Sequence, residues 1–344
     1  MMKNVVVGIT LVLTLTMGCH QTNEVVEQQQ PRISIEFSNL PRLAEGEGHY
    51  QLWAKFIIFN RPGQIESPLH DSTAVSLGEF NVSEDGEHIV APDDTPMRLT
   101  IPADQNPQLI DDVIIALQQD EPGLAKTHHE EPGPTFLGGK VHGDSLIGIA
   151  DLDISYSHAL GSTFSNVLGK CTITAPTSPA DSNSGVWFIE PGITASAGLR
   201  NLPTLPIGWR YEGWVGYPVI QIDPQKSLAF LYYSTGKFLR ADSADFDGAG
   251  PGKGSGTGLN FPGQDFVNAY PFPGGPPPKP DLRFHTFMIT IEPDPDNSPG
   301  PFSLTLLSTQ PGPTALPQGQ PIAMNNVSAA SFPRARITIV RSGY

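Results

Sequence analysis

Cysteine is scarce in this chain. Its 344 residues contain two cysteines, Cys19 and Cys171, which excludes a disulfide network and a cysteine-based structural metal site. Cys171 lies in the alternating segment 170–174, so we predict that it is a buried, unreactive small apolar residue of a strand. No metal ion and no cofactor is expected from the sequence.

Basic residues are also few. The chain has 20 Lys and Arg against 35 Asp and Glu, a formal net charge of −15. Nucleic-acid binding needs basic surface that neutralises phosphates, so this balance excludes a nucleic-acid partner. It also opposes peripheral docking onto anionic lipid, and it favours solubility.

One apolar run, Val5–Leu15, stands near the N-terminus behind Lys3. It is shorter than the ~20 residues of a membrane-spanning helix and is typical of a secretory signal. The segment 15–19, Leu-Thr-Met-Gly-Cys, resembles the lipobox of bacterial lipoproteins, although Met17 is unusual at its position. The resemblance implies a signal peptide over residues 1–18 and lipidation of the Cys19 sulfur; the alternative is an ordinary signal peptide with a chance cysteine.

Residues 19–32 are polar and have too little apolar surface to fold alone. They are typical of a flexible tether between a lipid anchor and a folded body. Several acyl chains on Cys19 would hold the protein firmly, because one chain gives only marginal membrane binding. We therefore predict a lipid-anchored protein of the cell envelope that faces away from the cytoplasm. His20, in place of Asp after the cysteine, favours the outer membrane if the cell is Gram-negative.

Glycine and proline each number 35 and separate short apolar segments, which is the pattern of strands punctuated by turns. Several segments alternate with period 2, among them Ile33–Phe37 and Arg336–Val340. Apolar residues over 109–117 have helical spacing, but the matching segment 287–293 is strand-like. We therefore predict a strand over 113–117, with a helical turn around 108–112 left open. The predicted fold is all-β: two tandem antiparallel β-sandwich domains of immunoglobulin-like type.

The chain repeats one pattern, which indicates two copies of one domain. The first copy contains Asn39-Leu40-Pro41, Tyr50-Gln51-Leu52-Trp53 and Gly78-Glu79-Phe80, and the second contains Asn201-Leu202-Pro203, Tyr211-Glu212-Gly213-Trp214 and Gly236-Lys237-Phe238. The polar, turn-rich segment 176–184 is the predicted linker, so repeat 1 spans 33–175 and repeat 2 spans 185–344. Repeat 2 carries a long Gly/Pro loop, 247–280, which we expect to be either functional or disordered. Its prolines Pro276–Pro278 predict polyproline II.

The order of these motifs resembles the extracytoplasmic domain of the anti-sigma-K factor family. In repeat 2 it continues through Ile289-Thr290-Ile291-Glu292-Pro293 and Ser298-Pro299-Gly300-Pro301; repeat 1 is more divergent and has Gln118-Gln119-Asp120-Glu121-Pro122 in place of Ile-Glu-Pro. The resemblance implies a β-sandwich outside the membrane. The family also has a cytoplasmic sigma-binding domain and a membrane helix. Residues 1–32 are too few for that domain, so no direct sigma-factor binding is expected.

The Tyr-x-x-Trp motifs offer the best candidate contact residues. Tyr50, Trp53, Tyr211 and Trp214 would be core aromatics or a stacking platform for a sugar or peptide. Positions i and i+3 of a strand face opposite sides, so we expect one aromatic of each pair inside the sandwich. We favour the packing interpretation.

Other polar clusters carry weaker signals. Asp242, Asp245 and Asp247 before Gly248 suggest calcium, but their spacing does not match an EF-hand loop, so an acidic hairpin turn is the better interpretation. The adjacent histidines 128–129 lack the spacing of a helical zinc site and are interpreted as part of a solvated loop. No phosphate-binding loop and no nucleophile elbow occurs. We assign no catalytic residue.

These observations favour a non-enzymatic, lipid-anchored envelope protein that binds or senses a protein or glycan through tandem β-sandwich modules. Two alternatives stay open. One is an envelope hydrolase that acts on glycan, which predicts a cleft with a carboxylate of raised pKa. The other is a structural spacer. Fold alone does not decide among these functions.

Overall fold

The computed structural model describes residues 31–44, 47–57, 74–119, 131–219, 229–268, 279–296, 298–310 and 314–341. The strands in chain order are β1 (Arg32–Ser38), β2 (His49–Phe56), β3 (Ala74–Val82), β4 (Ile89–Val90), β5 (Ile110–Gln118), β6 (Thr135–Lys140), β7 (His142–Gly143), β8 (Ile147–Leu152), β9 (Gly169–Ile173), β10 (Gly185–Trp187), β11 (Ile189–Glu190), β12 (Ser196–Ala197), β13 (Trp209–Val219), β14 (Ala229–Phe238), β15 (Gly263–Asp265), β16 (Thr286–Pro293), β17 (Leu304–Ser308), β18 (Pro321–Asn326) and β19 (Arg334–Val340). One short α-helix, α1 (Ser328–Ser331), and 3-10 turns at 107–109, 179–181 and 282–284 complete the described elements. None of the described helices is long and apolar enough to cross a membrane.

The prediction of an all-β, antiparallel β-sandwich fold is confirmed. The strands form sheets in the orders β1-β19-β8-β7, β4-β3-β2-β5-β6 and β14-β13-β16-β17-β18-β9-β10-β15, with the small pair β11-β12 beside them. All strand-to-strand pairings in these sheets are antiparallel. The predicted strand over 113–117 is confirmed as part of β5, and the helical turn left open before it is the 3-10 turn 107–109.

The two repeats share one strand arrangement. The Tyr-x-x-Trp strand is central in both, since β2 lies between β3 and β5 and β13 lies between β14 and β16. A β-bulge interrupts the pairing with the Gly-x-Phe strand at the same point, between Leu52 and Trp53 in the first copy and between Glu212 and Trp214 in the second. Because a bulge bends a strand and redirects its side chains, this shared irregularity supports the duplication independently of the sequence motifs.

The Asn-Leu-Pro motif has the same conformation in both copies. Asn39 and Asn201 have φ values of 55° and 58°, in the left-handed region that asparagine tolerates better than most residues. The Tyr50 hydroxyl donates to the Pro41 carbonyl at 2.9 Å, and the Tyr211 hydroxyl donates to the Pro203 carbonyl at 2.7 Å. The motif therefore fixes a turn onto the tyrosine of the following strand.

Replacing either tyrosine by phenylalanine tests this shared contact. We expect Tyr50→Phe and Tyr211→Phe each to lower the free energy of unfolding by about 1 kcal/mol, since each removes one partly buried hydrogen bond and keeps the ring. Urea denaturation of both variants measures the loss. A neutral result for one and a cost for the other would show that the two turns are not equivalent.

The two repeats are joined by long-range pairing. β19, near the C-terminus, lies between β1 and β8, and β9 pairs with both β10 and β18. Buried residues of both repeats also form one continuous apolar cluster, in which Phe136 contacts Trp209 with ring centroids 6.2 Å apart. A division at 176–184 would place β19 in a sheet of the second repeat. The structure instead places it in the sheet that contains β1, where its alternating apolar side chains are buried.

The predicted linker and long loop pack onto the second repeat. In the segment 176–184, Thr177 is buried, and its backbone N–H and hydroxyl both donate to Asp265. Asp265 belongs to β15 within the long loop 247–280 and also accepts from the Trp187 indole at 2.6 Å. Within the long loop, residues 247–268 therefore pack against the sheet. Pro276–Pro278 lie outside the described residues.

Candidate functional site

The four aromatics of the Tyr-x-x-Trp motifs are buried. Tyr50 and Tyr211 belong to the main apolar cluster. Trp53 packs in a separate cluster with Ile114 on the opposite face, in agreement with the expected i, i+3 alternation. The Trp214 indole donates to the Thr290 hydroxyl at 2.9 Å. These positions agree with the packing interpretation, since a stacking platform needs an exposed ring face.

Cys171 is fully buried, and burial raises the pKa of its thiol far above its ordinary value, so it is the unreactive residue that the sequence predicts. Cys19, His128 and His129 lie outside the described residues. Asp242 is exposed and paired with Arg240, but Asp245 is buried and accepts from the Gly263 N–H. Residues 241–242 and 246–249 form turns, and Asp245 between them is buried because the long loop folds back over it.

A group of carboxylates, two of them buried, lies together in the second repeat. Oxygen atoms of Glu212 (β13), Glu292 (β16) and Asp296 lie within 4.8 Å of one another. Glu212 and Glu292 are on neighbouring strands, on the face opposite the side chain of Tyr211. We call Glu212, Glu292 and Asp296 the acidic cluster.

Hydrogen bonds hold two members of the acidic cluster in place. Both Glu292 oxygens accept from the Phe302 N–H, at 2.9 and 3.0 Å, and one also accepts from the Thr290 hydroxyl. Glu212 Oε1 accepts from the Ser234 hydroxyl. Glu212 Oε2 has no hydrogen-bond partner among the described residues, although the side chain is only 5 % exposed.

Among the described residues, Lys237 is the cation that forms ion pairs with the acidic cluster. Its Nζ lies 3.0 Å from Asp296 Oδ2 and 3.9 Å from Glu212 Oε2. One ammonium therefore pairs with two of the three carboxylates. Burial raises the pKa of Glu212 to about 7, and the Ser234 hydrogen bond and Lys237 offset this only in part. Burial, with the neighbouring Glu212 and Asp296, raises the pKa of Glu292 to about 8.

These pKa shifts predict a pH-dependent stability. A carboxyl whose pKa is higher in the folded protein stabilises the fold at low pH, and this contribution is lost as pH rises from about 4.5 through 7 to 8. We expect the wild type to lose free energy of unfolding over this window relative to a variant with Glu212→Gln and Glu292→Gln. The difference has a slope of at most about 1.4 kcal/mol per pH unit for each group.

Urea denaturation at a series of pH values, without added divalent cations, measures this difference. Other titrating groups, such as the buried His285, whose pKa burial lowers, are present in both proteins and cancel in the comparison. Parallel pH profiles for the two proteins would contradict the prediction.

The first repeat has amides at the corresponding positions. Gln51 follows Tyr50 as Glu212 follows Tyr211, and Gln118 occupies in β5 the register position of Glu292 in β16. Gln51 donates to the Ser76 hydroxyl at 2.8 Å, in parallel with the contact between Glu212 and Ser234. The second repeat thus has glutamates at two positions where the first repeat has glutamines, so the carboxyl groups are gathered in the second repeat. The sequence analysis missed the acidic cluster, although alignment of the two Tyr-x-x-Trp motifs contains this signal.

A second candidate site is a groove of about 610 Å³ along β1. β1 is an edge strand that pairs, among the described strands, with β19 alone. The groove separates β1 from β4 and from the segment 97–100, and half-buried apolar side chains of Ile33, Ile35 and Met97 line it. Within the described part of the chain, no strand pairs with the other side of β1, which leaves that side available to a further strand.

Comparison of this chain with protein-family models, curated proteins and solved structures gives no match. The resemblance to the anti-sigma-K outer domain therefore stays a prediction.

Proposed function

We propose that this protein is a non-enzymatic, lipid-anchored protein of the cell envelope that binds an extended segment of an envelope protein. The segment would add to β1 as a further strand and place alternate side chains in the groove, the mode of recognition known as β-augmentation. The observation that carries this proposal is the open edge of β1 beside an apolar groove. Main-chain hydrogen bonds would give affinity, and the groove would give selectivity.

Charge around the groove indicates the character of the segment. Two arginines, Arg32 and Arg98, and one acidic residue, Glu87, are the Arg, Lys, Asp and Glu residues that line the groove. Both arginines are exposed and form no ion pair with another described residue, in a chain whose net charge is −15. A segment with alternating apolar residues and acidic side chains at its outward positions complements this surface. Such a partner would contact the edge of the sandwich and leave its core unchanged.

A glycan hydrolase is the second candidate, because Glu212 and Glu292 have the raised pKa values that such an enzyme needs. Its geometry is less favourable. Glu292 is fully buried, and both of its oxygens accept from the Phe302 N–H. A catalytic acid must reach the glycosidic oxygen of its substrate, so these contacts favour the binding function.

Site-specific photo-crosslinking in cells tests the proposal. A photoreactive residue at the exposed Ser34 of β1 is expected to give an adduct with one envelope protein, and the same residue at His142 of β7, on the opposite edge of that sheet, is expected to give none. Charge reversal by Arg32→Glu with Arg98→Glu should weaken the Ser34 adduct. Equal adducts from both positions, no adduct, or an adduct with glycan alone would overturn the proposal.

The anti-sigma-K resemblance extends this proposal to sensing. A sensor would couple occupancy of the groove to another envelope component, without contact between this chain and a sigma factor. A spacer, in contrast, would need no groove partner. If Arg32→Glu with Arg98→Glu removed the Ser34 adduct and left the envelope phenotypes of the cell unchanged, the spacer function would be favoured.

A further inference from the structure

The acidic cluster has an oxygen that is buried without a hydrogen-bond donor. Glu212 as a residue is 4 % exposed, and its Oε2 accepts no hydrogen bond from any described residue. The nearest ammonium, Lys237 Nζ, is 3.9 Å away and lies closer to Asp296 Oδ2. A buried carboxylate oxygen without a donor is costly, and a bound cation would remove that cost.

The charge balance points the same way. Three carboxylates approach within 4.8 Å of one another, and Lys237 can neutralise one of them. A further carboxylate, Asp247, lies close enough to Glu212 to disfavour its ionised form. Among the described residues, the second repeat therefore gathers several carboxyl groups around one ammonium, whereas the first repeat has Gln51 and Gln118 at the matching positions.

We propose that Glu212, Glu292 and Asp296 form a binding site for one hard divalent cation, of which Ca²⁺ is the best match. The clustered ligands are carboxylates, with no histidine or cysteine among them, which suits Ca²⁺ and not Zn²⁺. The hydroxyls of Ser234 and Thr290 contact the same carboxylates and orient them. Ca²⁺ accepts six to eight oxygens in flexible geometry, so waters would complete its shell; Mg²⁺ demands a stricter octahedron.

Lys237 is the natural competitor for this site. Its ammonium occupies the space between Glu212 and Asp296, and its side chain is 22 % exposed, so it can move towards solvent on a flexible stem. Cation binding then exchanges one ammonium for one divalent ion and releases any protons that the glutamates hold. This exchange makes opposite predictions for two substitutions.

Calorimetric titration of CaCl₂ into the chelator-treated full-length chain in detergent tests the site. We expect one Ca²⁺ per chain and weaker binding of MgCl₂. Glu212→Gln, which installs the residue of the first repeat, should lower the affinity by about tenfold or more because it removes a charged ligand. Lys237→Met should raise the affinity, because it removes the competing cation. Asp242→Asn, at an exposed aspartate outside the cluster, should bind like the wild type.

Terbium luminescence excited through tryptophan gives a second measurement, since Trp214 is bonded to Thr290 beside the acidic cluster. No saturable binding by the wild type at millimolar Ca²⁺ would overturn the proposal, as would equal affinities of wild type and Glu212→Gln. If Glu212→Gln fails to fold by circular dichroism, Lys237→Met decides: unchanged or weaker binding would contradict the site. The crosslinking result at β1 is independent of these outcomes.

Discussion

Cys19→Ala is expected to abolish incorporation of labelled palmitate into this protein. The lipid would be attached to the Cys19 sulfur, and alanine offers no nucleophile for it. Processing before residue 19 should fail as well, so a larger precursor that retains residues 1–18 should accumulate. Labelling followed by immunoprecipitation and gel electrophoresis measures both effects, each of which is expected to be complete.

The other cysteine provides the matched control. Cys171 is fully buried in β9, so Cys171→Ala should retain the full palmitate label even if it lowers stability slightly. A wild-type protein that carries no label and is released freely from the membrane would show that residues 1–18 are an ordinary signal peptide. The localisation part of the proposed function would then fail.

Removal of β19 is expected to unfold the sheet that joins the two ends of the chain. A chain that ends at residue 333 loses Ile337 and Ile339, both fully buried, together with the pairing of β19 to β1 and β8. Each buried isoleucine contributes about 1.5–3 kcal/mol. With the lost backbone hydrogen bonds, the total approaches the 5–15 kcal/mol that stabilises a typical domain.

Near-ultraviolet circular dichroism and limited proteolysis measure this effect, with a chain that ends at residue 341 as the control. The longer chain keeps all of β19 and should fold like the wild type. Cleavage of the shorter chain should begin within 31–152, because β1 and β8 lose their common neighbour. A native spectrum for the shorter chain would show that repeat 1 folds without β19.

The sequence predicted the fold class and the repeated motif from local signals. Alternation of apolar residues, the asparagine before Leu-Pro and the Tyr-x-x-Trp spacing are each readable within a few residues, and each has its expected local structure. The pairing of β1 with β19 was not predictable. Two strands about 300 residues apart in the chain have no local signal for each other, and alternation says only that each has one buried face.

The acidic cluster was missed for a different reason. Glu212 lies between Tyr211 and Trp214 in one motif and Glu292 lies in another, about 80 residues later, so their proximity across β13 and β16 follows only from the strand register. The spacing of the acidic residues in 242–247 argues against an EF-hand loop but carries no information on burial, and the structure buries one of these carboxylates, Asp245. Burial decides the chemistry of a carboxylate, and composition does not report burial.

Residue-resolved amide hydrogen exchange of the purified full-length protein shows whether β1 is an open edge able to accept a further strand. We expect amides of 32–38 to alternate between slow exchange, where they bond to β19, and fast exchange, where they face the groove. Amides of β19, which pair on both sides, should exchange slowly throughout. Uniform protection of β1 would mean that its edge is already covered, and this result would contradict the proposed binding site.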